Sequence, residues 1–430
     1  MARLEDIGAG CMFLVMDIVS FFDKEDIYDC LETMEHLGIN KKAIRMWYLL
    51  NKATNIRVKT AFGVSEEAAV GDCLGQGTAG AGLVSAANLD LGLQKEFNHS
   101  KDVMYYGQVR VQPLSYQDDV GSLCTSVSML RKQARKMTDM LKHKILDAHP
   151  DKSGYLFLGT QTYTDCMKQE IEQDPIYFNK FNLKLKTEEK YLGQIITSTL
   201  SASSLATAQD RAGKIKGAAI EIKQIIEDFE MQALGGLAAA WDLWERALIP
   251  SLLSGCGTWL GDIEEAVKLC TSLQEFYWKT ILKLPDSCPK LALRCETFSR
   301  GIKWRIWEEK CLLLIRVQNL EEGSLAQKIY MEAEMQGWPG LGMDVRNICT
   351  EIKIPDLNSN KLSKKDVQKA ISKSHYEDMM TQFESSSKLQ DIKNSNFNKM
   401  QFYFNDRNLE NSRMKFKIRT KMLPKIPGNF

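Results

Sequence analysis

The sequence predicts an α+β fold over residues 1–200 and an all-α region after it. Apolar, strand-like runs alternate with amphipathic helical patterns through the first part, which is typical of a sheet packed with helices. In the second part, apolar residues recur at helical spacing over long stretches, with few strand signals between them. We therefore expect three parts: a mixed domain at 1–200, a helical domain at 201–345 and a polar, basic C-terminal extension at 346–430.

In the mixed domain, a nearly unbroken apolar run predicts a buried strand at the start, and Gly38 ends the first full helix. Glycine-rich residues 71–82 open an apolar helix, and the Asp118-Asp119 pair lies at the tip of a predicted hairpin. The predicted strands are residues 12–18, 55–61, 103–116, 120–123, 155–158 and 191–196. The predicted helices are residues 24–36, 41–52, 83–97 and 127–146.

The rest of the chain is predicted to be helical and then polar. The predicted helices of the helical domain are residues 206–230, 238–253, 263–282 and 304–320. Residues 364–400 are mostly Lys, Ser, Asn and Asp, a composition that favours a mobile or loosely helical segment.

Basic and apolar residues alternate strictly near the C-terminus, so an extended strand would place the basic residues on one face. These residues are Arg413, Lys415, Lys417 and Arg419. They are expected either to contact nucleic-acid phosphates or to be solvated over a small core.

The length, net charge and cysteine content limit the classes of protein to which the chain can belong. The 430 residues suffice for two or three domains with real cores. The formal net charge of +1 does not by itself indicate nucleic-acid binding, although the basic C-terminal residues fit a protein with one basic face. The eleven cysteines include no Cys-x-x-Cys pair, so reduced thiols are expected rather than disulfides or zinc. With no targeting or membrane segment visible, we expect an intracellular protein of the nucleus or cytoplasm.

Two short acidic stretches carry most of the chemical information. Asp17 follows the apolar run 13–16, and Asp118 and Asp119 follow a second strand-like run. Clustered carboxylates beside buried strands most often hold a hard divalent cation, and on neighbouring strands they would suit nucleotidyl transfer. Simpler interpretations exist, because Asp-Asp pairs are common in turns and Asp17 with Asp23 could begin a helix.

Two further motifs are also open to two interpretations. The loop Gly75-Gln76-Gly77-Thr78 is either a plain turn into a helix or a segment whose backbone N–H groups approach a phosphate or template. Lys152, in His-Pro-Asp-Lys-Ser, is either a surface turn lysine or a functional cation. Neither motif identifies a function alone, so their order along the chain matters more.

The ordered motifs resemble the palm of reverse transcriptases of the non-LTR (LINE-type) retrotransposon family. The series is a strand-end Asp with an aromatic five residues later, a Gln-Gly turn opening a helix, a Tyr-x-Asp-Asp hairpin, a long helix, an Asp-Lys-Ser turn and a Lys-Tyr-Leu-Gly strand. The resemblance covers residues 10–200 and continues more weakly into the helical domain. It implies a right-hand polymerase palm, an antiparallel sheet with packed helices, followed by an all-α thumb.

The resemblance also implies an activity and its participants. The enzyme would be an RNA-directed DNA polymerase that transfers a nucleotide from a dNTP to a DNA primer on an RNA template, using two Mg²⁺ ions. The residues carried over are, for the metals, Asp17, Asp118 and Asp119; for pyrophosphate protonation, Lys152; for the sugar 2′ position, Phe22; for template and nucleotide, Gln76 and Gly77; and for the primer grip, Tyr191, Leu192 and Gly193.

The chain departs from the family pattern at several points. Gly75 replaces the usual proline, and Tyr-Gln-Asp-Asp replaces the commoner Phe-Ala-Asp-Asp with its carboxylates kept. The fingers, which in this family precede the first Asp motif and grip the triphosphate, are largely absent, so we expect the chain as it stands to be an impaired polymerase. The alternatives are a non-catalytic nucleic-acid-binding remnant of a decayed retroelement and an unrelated magnesium phosphotransferase.

Overall fold

The structure is a computed structural model of the 430-residue chain. The chain divides into two compact units, the N-terminal unit (residues 1–192 with 196–199) and the helical unit (residues 193–195 with 200–430). The residues that the structure describes are 10–52, 55–57, 59–69, 80–228, 236–259, 261, 263–357, 363–385, 401–405 and 409–420.

The N-terminal unit mixes strands and helices, in agreement with the predicted α+β class. Its helices are α1 (Phe21–Lys24), α2 (Ile27–His36), α3 (Lys41–Asn51), α4 (Ala81–Phe97), α5 (Val127–His143) and α6 (Gln161–Gln173). Its strands, with β15 at the division between the units, are β1 (Gly10–Asp17), β2 (Asn55–Ile56), β3 (Lys59–Thr60), β4 (Gly63–Val64), β5 (Ala68–Ala69), β6 (Met104–Tyr106), β7 (Val109–Val111), β8 (Leu114–Tyr116), β9 (Asp119–Cys124), β10 (Gly154–Gly159), β11 (Tyr177–Phe178), β12 (Phe181–Asn182), β13 (Lys184–Leu185), β14 (Glu188–Tyr191) and β15 (Gln194–Thr197).

Four predicted elements are divided in the structure: the helix at 24–36 and the strands at 55–61, 103–116 and 191–196. The strand predicted at 55–61 is the two strands β2 and β3, and the one predicted at 191–196 is interrupted by a turn at Leu192 and Gly193 between β14 and β15. The helix predicted at 24–36 is interrupted because Asp26 acts as an N-cap, its carboxylate accepting a hydrogen bond from Tyr28 N at 2.7 Å. The strand predicted at 103–116 is three short strands, of which β6 and β7 pair with each other and β8 pairs with β9. The Asp118-Asp119 pair still lies at the tip of the β8–β9 hairpin.

A five-stranded sheet organises the N-terminal unit, in the order β13-β10-β1-β9-β8. β1 pairs antiparallel with both β10 and β9, and β8 pairs antiparallel with β9. β13 joins β10 in parallel. Because β1 lies in the middle, it is buried from Gly10 as far as Met16, and its exposure begins at Asp17.

The two faces of β1 have different neighbours, since successive side chains of a strand point to opposite faces. Leu14 and Met16 pack in the main core of the unit with apolar residues of α4 and α5, including Leu93 and Leu130. Phe13 points the other way and packs edge-on against the Tyr191 ring, with 5.3 Å between ring centres. By the same alternation, Asp17 shares the face of Phe13.

Gly121 of β9 leaves room for this aromatic pair. A Cβ at Gly121 would lie 2.9 Å from the Phe13 ring and 3.0 Å from the Tyr191 ring. We expect Gly121→Ala to destabilise the N-terminal unit by about 1–3 kcal/mol, the usual cost of overpacking. Hydrogen exchange of the β1 and β9 amides across a urea series measures this loss.

The matched control for Gly121→Ala is Gly82→Ala in α4 of the same unit. A Cβ at Gly82 would have Gln117 Nε2 as its nearest neighbour, at an ordinary distance of 3.6 Å. Alanine is favoured over glycine in helices by up to about 1 kcal/mol, so this control should be neutral or stabilising. Equal stability of the two variants would contradict the prediction.

The helical unit is organised around aromatic side chains. Trp244 stacks on Tyr277 with 4.7 Å between ring centres, and Tyr277 meets Trp278 edge-on at 5.0 Å. A π-helical turn, Trp244–Leu248, links α8 to α9. The α-helices of the unit are α7 (Leu200–Glu227), α8 (Gly236–Leu243), α9 (Ile249–Leu252), α10 (Glu264–Leu282), α11 (Lys290–Glu296), α12 (Ile302–Gln318), α13 (Leu325–Gln336), α14 (Leu341–Glu351), α15 (Lys364–Glu384) and α16 (Leu409–Arg419).

The described part of the predicted C-terminal extension belongs to the helical unit. Residues 364–384, which the composition favours as mobile or loosely helical, form the regular helix α15. A capping box between Ser363 and Asp366 begins this helix. Val367 and Ile371, four residues apart on one face, are fully buried in an apolar cluster with Trp304 of α12.

The strand predicted from Arg413 to Arg419 is wrong, because these residues lie in α16. The guanidinium of Arg413 is buried and forms ion pairs with Glu227 at 2.7 Å and Glu410 at 2.6 Å. Arg419 pairs with the buried carboxylate of Glu296 at 2.8 Å. These two arginines therefore neutralise acids within the unit and do not form a phosphate-contacting edge with Lys415 and Lys417.

The described cysteines are all free thiols, and all except Cys166 are buried. Burial raises the pKa of Cys256 and Cys270 to about 12, so these thiols stay protonated and unreactive near neutral pH. Among the helices that the structure describes, none has the combination of length and hydropathy that a membrane span needs.

Candidate active site

Three carboxylates lie together where β1 ends and β9 begins. Asp17 and Asp119 are paired directly across these two strands. Directly opposed residues of antiparallel strands lie on the same face with Cβ atoms about 5 Å apart. Asp118 is in the turn just before Asp119, and its carbonyl accepts a hydrogen bond from Ile18 N at 3.3 Å. The sheet thus brings the two acidic motifs to one place.

The turn that carries Asp118 is tight. Tyr116 and Asp119 pair with each other, so Gln117 and Asp118 form a two-residue hairpin loop. Gln117 has a φ of 55°, a left-handed conformation that costs a residue other than glycine roughly 1–2 kcal/mol. Backbone strain of this kind concentrates at functional sites, where the surrounding structure holds it in place.

A loop of residues 147–153, between α5 and β10, fixes the backbone of Asp17. His149 N donates a hydrogen bond to the Asp17 carbonyl at 2.8 Å, and Asp17 N donates to Ser153 Oγ at 3.2 Å. Ser153 is fully buried, so solvent does not compete for this contact. His149 and Ser153 are neighbours of the candidate site that sequence reasoning missed, and their presence in the His-Pro-Asp-Lys-Ser motif was the available signal.

Lys152, in the same loop, forms an ion pair with Asp17. Its Nζ lies 3.3 Å from Asp17 Oδ2 and 3.5 Å from Oδ1. The Lys152 side chain is 63% exposed, whereas that of Asp17 is 17% exposed. Because exposed ion pairs are weak, the ammonium can move into solvent while the carboxylate stays in place.

The carboxylates of the site repel one another. Burial is the largest cause that raises the pKa of Asp119, and the charges of Asp118, Asp17 and Glu189 raise it further. Lys152 lowers the pKa of Asp119 but only partly offsets these effects. Since the raised pKa disfavours the ionised form, this group weakens the fold as the pH rises through that pKa. A carboxyl group whose pKa is raised by burial and by neighbouring charges is typical of catalytic and cation-binding sites.

Glu189 is a further acid at this site that sequence reasoning missed. It lies in β14, is half-buried and forms an ion pair with Lys186. It directly precedes the Lys-Tyr-Leu-Gly motif, so its position in the sequence was a usable signal. The charge of Glu189 raises the pKa of Asp119, although the ion pair with Lys186 partly offsets this charge.

Tyr191, Leu192 and Gly193 lie at the turn from β14 to β15. Leu192 and Gly193 have φ values of 48° and 75°, the pattern of a tight type I′ hairpin turn. The Tyr191 ring packs on Phe13, and burial followed by the charge of Asp119 raises the pKa of its hydroxyl. Tyr191 is therefore close enough to the carboxylates to interact with Asp119.

Phe22, the aromatic residue five positions after Asp17, is only partly buried. Phe21 is buried in the core of the N-terminal unit, whereas Phe22 is half-buried at its edge, with 5.4 Å between the two ring centres. Phe21 thus serves as the core aromatic of the motif, and part of the Phe22 ring stays accessible. The other predicted substrate contacts, Gln76 and Gly77, lie outside the described residues.

The donor chemistry of the site suits a hard divalent cation, because its carboxylates supply oxygen ligands. As the side chains stand, however, no group of three or more His, Cys, Asp or Glu residues in the described ranges is arranged to hold a metal ion. The ammonium of Lys152 instead contacts the Asp17 oxygens. Magnesium binding would require Lys152 to move away from Asp17.

Comparisons with known proteins identify no family for this chain. No known family profile and no curated protein matches it. Apo telomerase from Candida tropicalis, truncated from its C-terminal domain, is similar at 12% identity with a TM-score of 0.32 over 46% of this chain. Telomerase from Candida albicans, in complex with a TWJ fragment of telomeric RNA, is similar at 11% identity with a TM-score of 0.33 over 77% of it.

The chain spans 36% of the first telomerase structure and 52% of the second. At these TM-scores the similarity does not decide the fold or the function. The arrangement of the carboxylates is the stronger observation.

Proposed function

We propose that the chain is a LINE-type reverse transcriptase, with a palm in the N-terminal unit and a thumb in the helical unit. The observation that carries this proposal is the pairing of Asp17 with Asp119 across adjacent strand ends, with Asp118 in the turn beside them. Two-metal nucleotidyl transfer needs carboxylates from neighbouring segments around ions about 4 Å apart. The repulsion among these carboxylates supports a cation site, since a bound cation would relieve it.

Asp17, Asp118 and Asp119 would hold two magnesium ions. Magnesium, when bound, lowers the pKa of a coordinated hydroxyl and neutralises phosphate charge. The protein fixes the carboxylates in advance, through the hydrogen bonds on the Asp17 backbone and the tight turn at Gln117. Little reorganisation is then needed during the reaction, which is the main advantage of a preorganised site.

The substrates of the proposed reaction are a dNTP, a DNA primer and an RNA template. The accessible part of Phe22 would crowd the 2′ position of the incoming sugar and favour deoxynucleotides. The turn at Leu192 and Gly193 would hold the primer strand beside Tyr191, and Gln76 would contact the template and nucleotide together with Gly77. These roles follow from the family resemblance and are supported by the closeness of Tyr191 and Asp119.

Lys152 is proposed to act as the general acid. The primer 3′-hydroxyl loses its proton to solvent and its oxygen attacks the α-phosphorus. The bond to pyrophosphate breaks, and Lys152 donates a proton to the leaving pyrophosphate. Its exposed side chain can exchange Asp17 for the pyrophosphate as the substrate enters. The same exchange would free the Asp17 oxygens for a metal ion.

Lys152→Met is therefore expected to have two opposite effects. Magnesium should bind more tightly, because no ammonium competes for Asp17, while nucleotide transfer should slow by about a hundredfold without the proton donor. Calorimetric titration with magnesium and single-turnover primer extension measure the two effects. The control is Lys184→Met, which removes a similarly exposed lysine from an ion pair with Asp151 and leaves Asp17 untouched. An unchanged magnesium affinity in Lys152→Met would contradict this role.

Primer extension on an RNA template tests the proposed function. The full chain, in excess over a labelled DNA primer annealed to RNA, should add deoxynucleotides only when magnesium and template are both present. Excess protein allows slow transfer to be detected. RNA binding without any extension would instead favour the non-catalytic remnant, and magnesium-dependent phosphate transfer without a primer would favour an unrelated phosphotransferase.

A further inference from the structure

The helical unit contains a cavity of about 450 Å³, walled by α8, the π-helical turn, α11, α12 and α15. This volume is in the range of small-molecule sites, which usually measure about 300–1,000 Å³. Arginines and aromatic residues dominate the wall: Arg294, Arg300, Arg305, Trp241, Phe298 and Tyr376. The mixture points to a ligand that is both anionic and aromatic.

Positive charge exceeds negative charge among the residues that line the cavity. Three arginines line it against a single acidic residue, Glu245. Arg305 holds that glutamate in a two-point ion pair at 2.7 and 2.8 Å, so the acid is already neutralised. Glu245 also lies in the π-helical turn, a feature that is frequent at functional sites.

Arg294 has a side-chain donor that lacks an acceptor. Its Nη2 is 3.8 Å from Glu275, whereas Lys290 lies only 3.0 Å from the same carboxylate. The Arg294 Nε is buried and has no hydrogen-bond partner among the described residues. A buried donor without an acceptor is unfavourable, and the Arg294 guanidinium would gain an acceptor by turning towards an anion in the cavity.

Arg300 and His375 complete the polar side of the wall. Arg300 is ion-paired with Glu308 and donates to Ser372 Oγ at 3.1 Å. Burial, and then the charge of Arg300, lowers the pKa of His375 to about 4, so its ring is uncharged at neutral pH. The arginines therefore supply the positive charge of the cavity at that pH.

The aromatic side of the wall is partly open. Phe298 and Tyr376 are 39% and 38% exposed, although both line the cavity. Phe298 also has a φ of 52°, a left-handed conformation that is rare for a bulky residue. Accessible aromatic faces beside positive charge are the surfaces on which nucleobases stack.

We propose that this cavity binds one nucleotide, with its phosphate at Arg294 and Arg300 and its base against the open aromatic rings. Guanidinium groups recognise phosphate through charge-assisted hydrogen bonds, and rings recognise bases by stacking. An inorganic anion would not use the rings, and an uncharged aromatic ligand would not use the arginines. The site lies wholly within the helical unit and does not depend on the carboxylates of the proposed polymerase site.

Calorimetric titration of the full chain tests the proposal, with adenosine 5′-monophosphate, inorganic phosphate and adenosine as separate probes. The buffer contains no divalent cation, so a nucleotide cannot bind through metals at the carboxylate site. The monophosphate should bind at least about tenfold more tightly than either fragment, since only it uses both sides of the wall. Equal affinity for the monophosphate and inorganic phosphate would overturn the proposal.

Arg294→Gln should weaken monophosphate binding about tenfold, because it removes a charged donor to the phosphate. The fold should tolerate this change, since Glu275 keeps its closer partner Lys290. Lys373→Gln is the control: it removes a positive charge from α15 at an exposed position outside the cavity, and it should leave binding unchanged. Tyr376→Ala, at a partly exposed position, should weaken binding of the monophosphate but not of phosphate. Equal losses in Arg294→Gln and Lys373→Gln would overturn the assignment.

A second set of titrations separates a free nucleotide from a nucleotide within a strand. If the cavity takes a nucleotide of a bound strand, Arg294→Gln should also weaken binding of a labelled single-stranded RNA, and the monophosphate should compete with it. If the cavity takes a free nucleotide, RNA binding should be unaffected while monophosphate binding is lost. Failure of primer extension by the chain would leave both results standing, because these titrations contain no magnesium.

Discussion

Asp17→Asn is expected to lower primer extension by about a thousandfold or more, because a metal ligand contributes several kcal/mol to the transition state and each 1.4 kcal/mol is tenfold in rate. Asparagine has the shape of aspartate but lacks its charge. The backbone contacts of residue 17, with His149 N and Ser153 Oγ, do not involve the side chain and should persist. Single-turnover extension measures the loss, and magnesium titration should show weakened binding in parallel.

The control for Asp17→Asn is Asp23→Asn in the same sequence motif. Asp23 is exposed in α1 and, unlike Asp17, does not face Asp119 across the sheet. The control should extend primers as the native chain does, since an exposed surface change rarely exceeds about 0.5 kcal/mol. Extension that survives in Asp17→Asn, or that fails equally in both variants, would contradict the two-metal proposal.

The carboxylates of the candidate site could be predicted from the sequence, but their partners could not. Apolar runs that end in Asp17 and begin after Asp119 are visible as strand ends, because buried strands have a strong local signal. The register that places these two residues opposite each other depends on long-range pairing, and a shift by one residue would move Asp17 to the other face.

The contact between Lys152 and Asp17 illustrates the same limit. The two residues are separated by 135 positions, and the contact exists because the loop 147–153 hydrogen-bonds to the backbone at the end of β1. Local sequence contains no information on which loop will lie against which strand end. Glu189 was missed for the same reason, since only the packing of β14 near Asp119 gives its charge an effect.

The C-terminal prediction failed for a different physical reason. Strict alternation of basic and apolar residues from Arg413 to Arg419 has the period of a strand, but a pattern of seven residues is too short to outweigh tertiary packing. In the structure, Phe416 is buried in the aromatic core and the charges of Arg413 and Arg419 are matched by acids that are distant in sequence. A helix forms despite this strand-like alternation because both arginines are ion-paired with acids of the helical unit.

Arg413→Met is expected to destabilise the helical unit by about 3 kcal/mol, as breaking a buried ion pair from one side usually does. The Arg413 side chain is 2% exposed. Its Nε and Nη2 donate to the Ile281 carbonyl at 3.0 and 2.7 Å, near the C-terminal end of α10, where carbonyls lack partners within the helix. In the variant, Glu227 would keep its ion pair with Lys283 at 3.2 Å. The expected loss of stability is therefore at the lower end of the usual range.

The loss of stability in Arg413→Met should also become smaller as the pH falls. Burial acts against ionisation of Glu227, but hydrogen bonds from Arg413 and Lys283 outweigh it and lower the pKa of this carboxyl. A hydrogen bond from Arg413 is likewise the largest cause that lowers the pKa of Glu410. A lowered pKa gives stability that is present above the ordinary glutamate value of about 4.3 and is lost as the pH falls through the folded value. The native chain and Arg413→Met should therefore converge in stability in acid.

Urea unfolding followed by tryptophan fluorescence measures this effect in the right unit, because every tryptophan except Trp47 lies in the helical unit. Lys417→Gln is the control, since it removes a positive charge from the same helix one turn later, at a half-buried position, and should cost no more than about 0.5 kcal/mol. Equal losses in the two variants, or a loss in Arg413→Met that stays constant from neutral pH into acid, would show that the buried ion pairs do not stabilise this unit. A larger loss in Arg413→Met that disappears in acid would instead show that the ion pairs of Arg413 stabilise the helical unit.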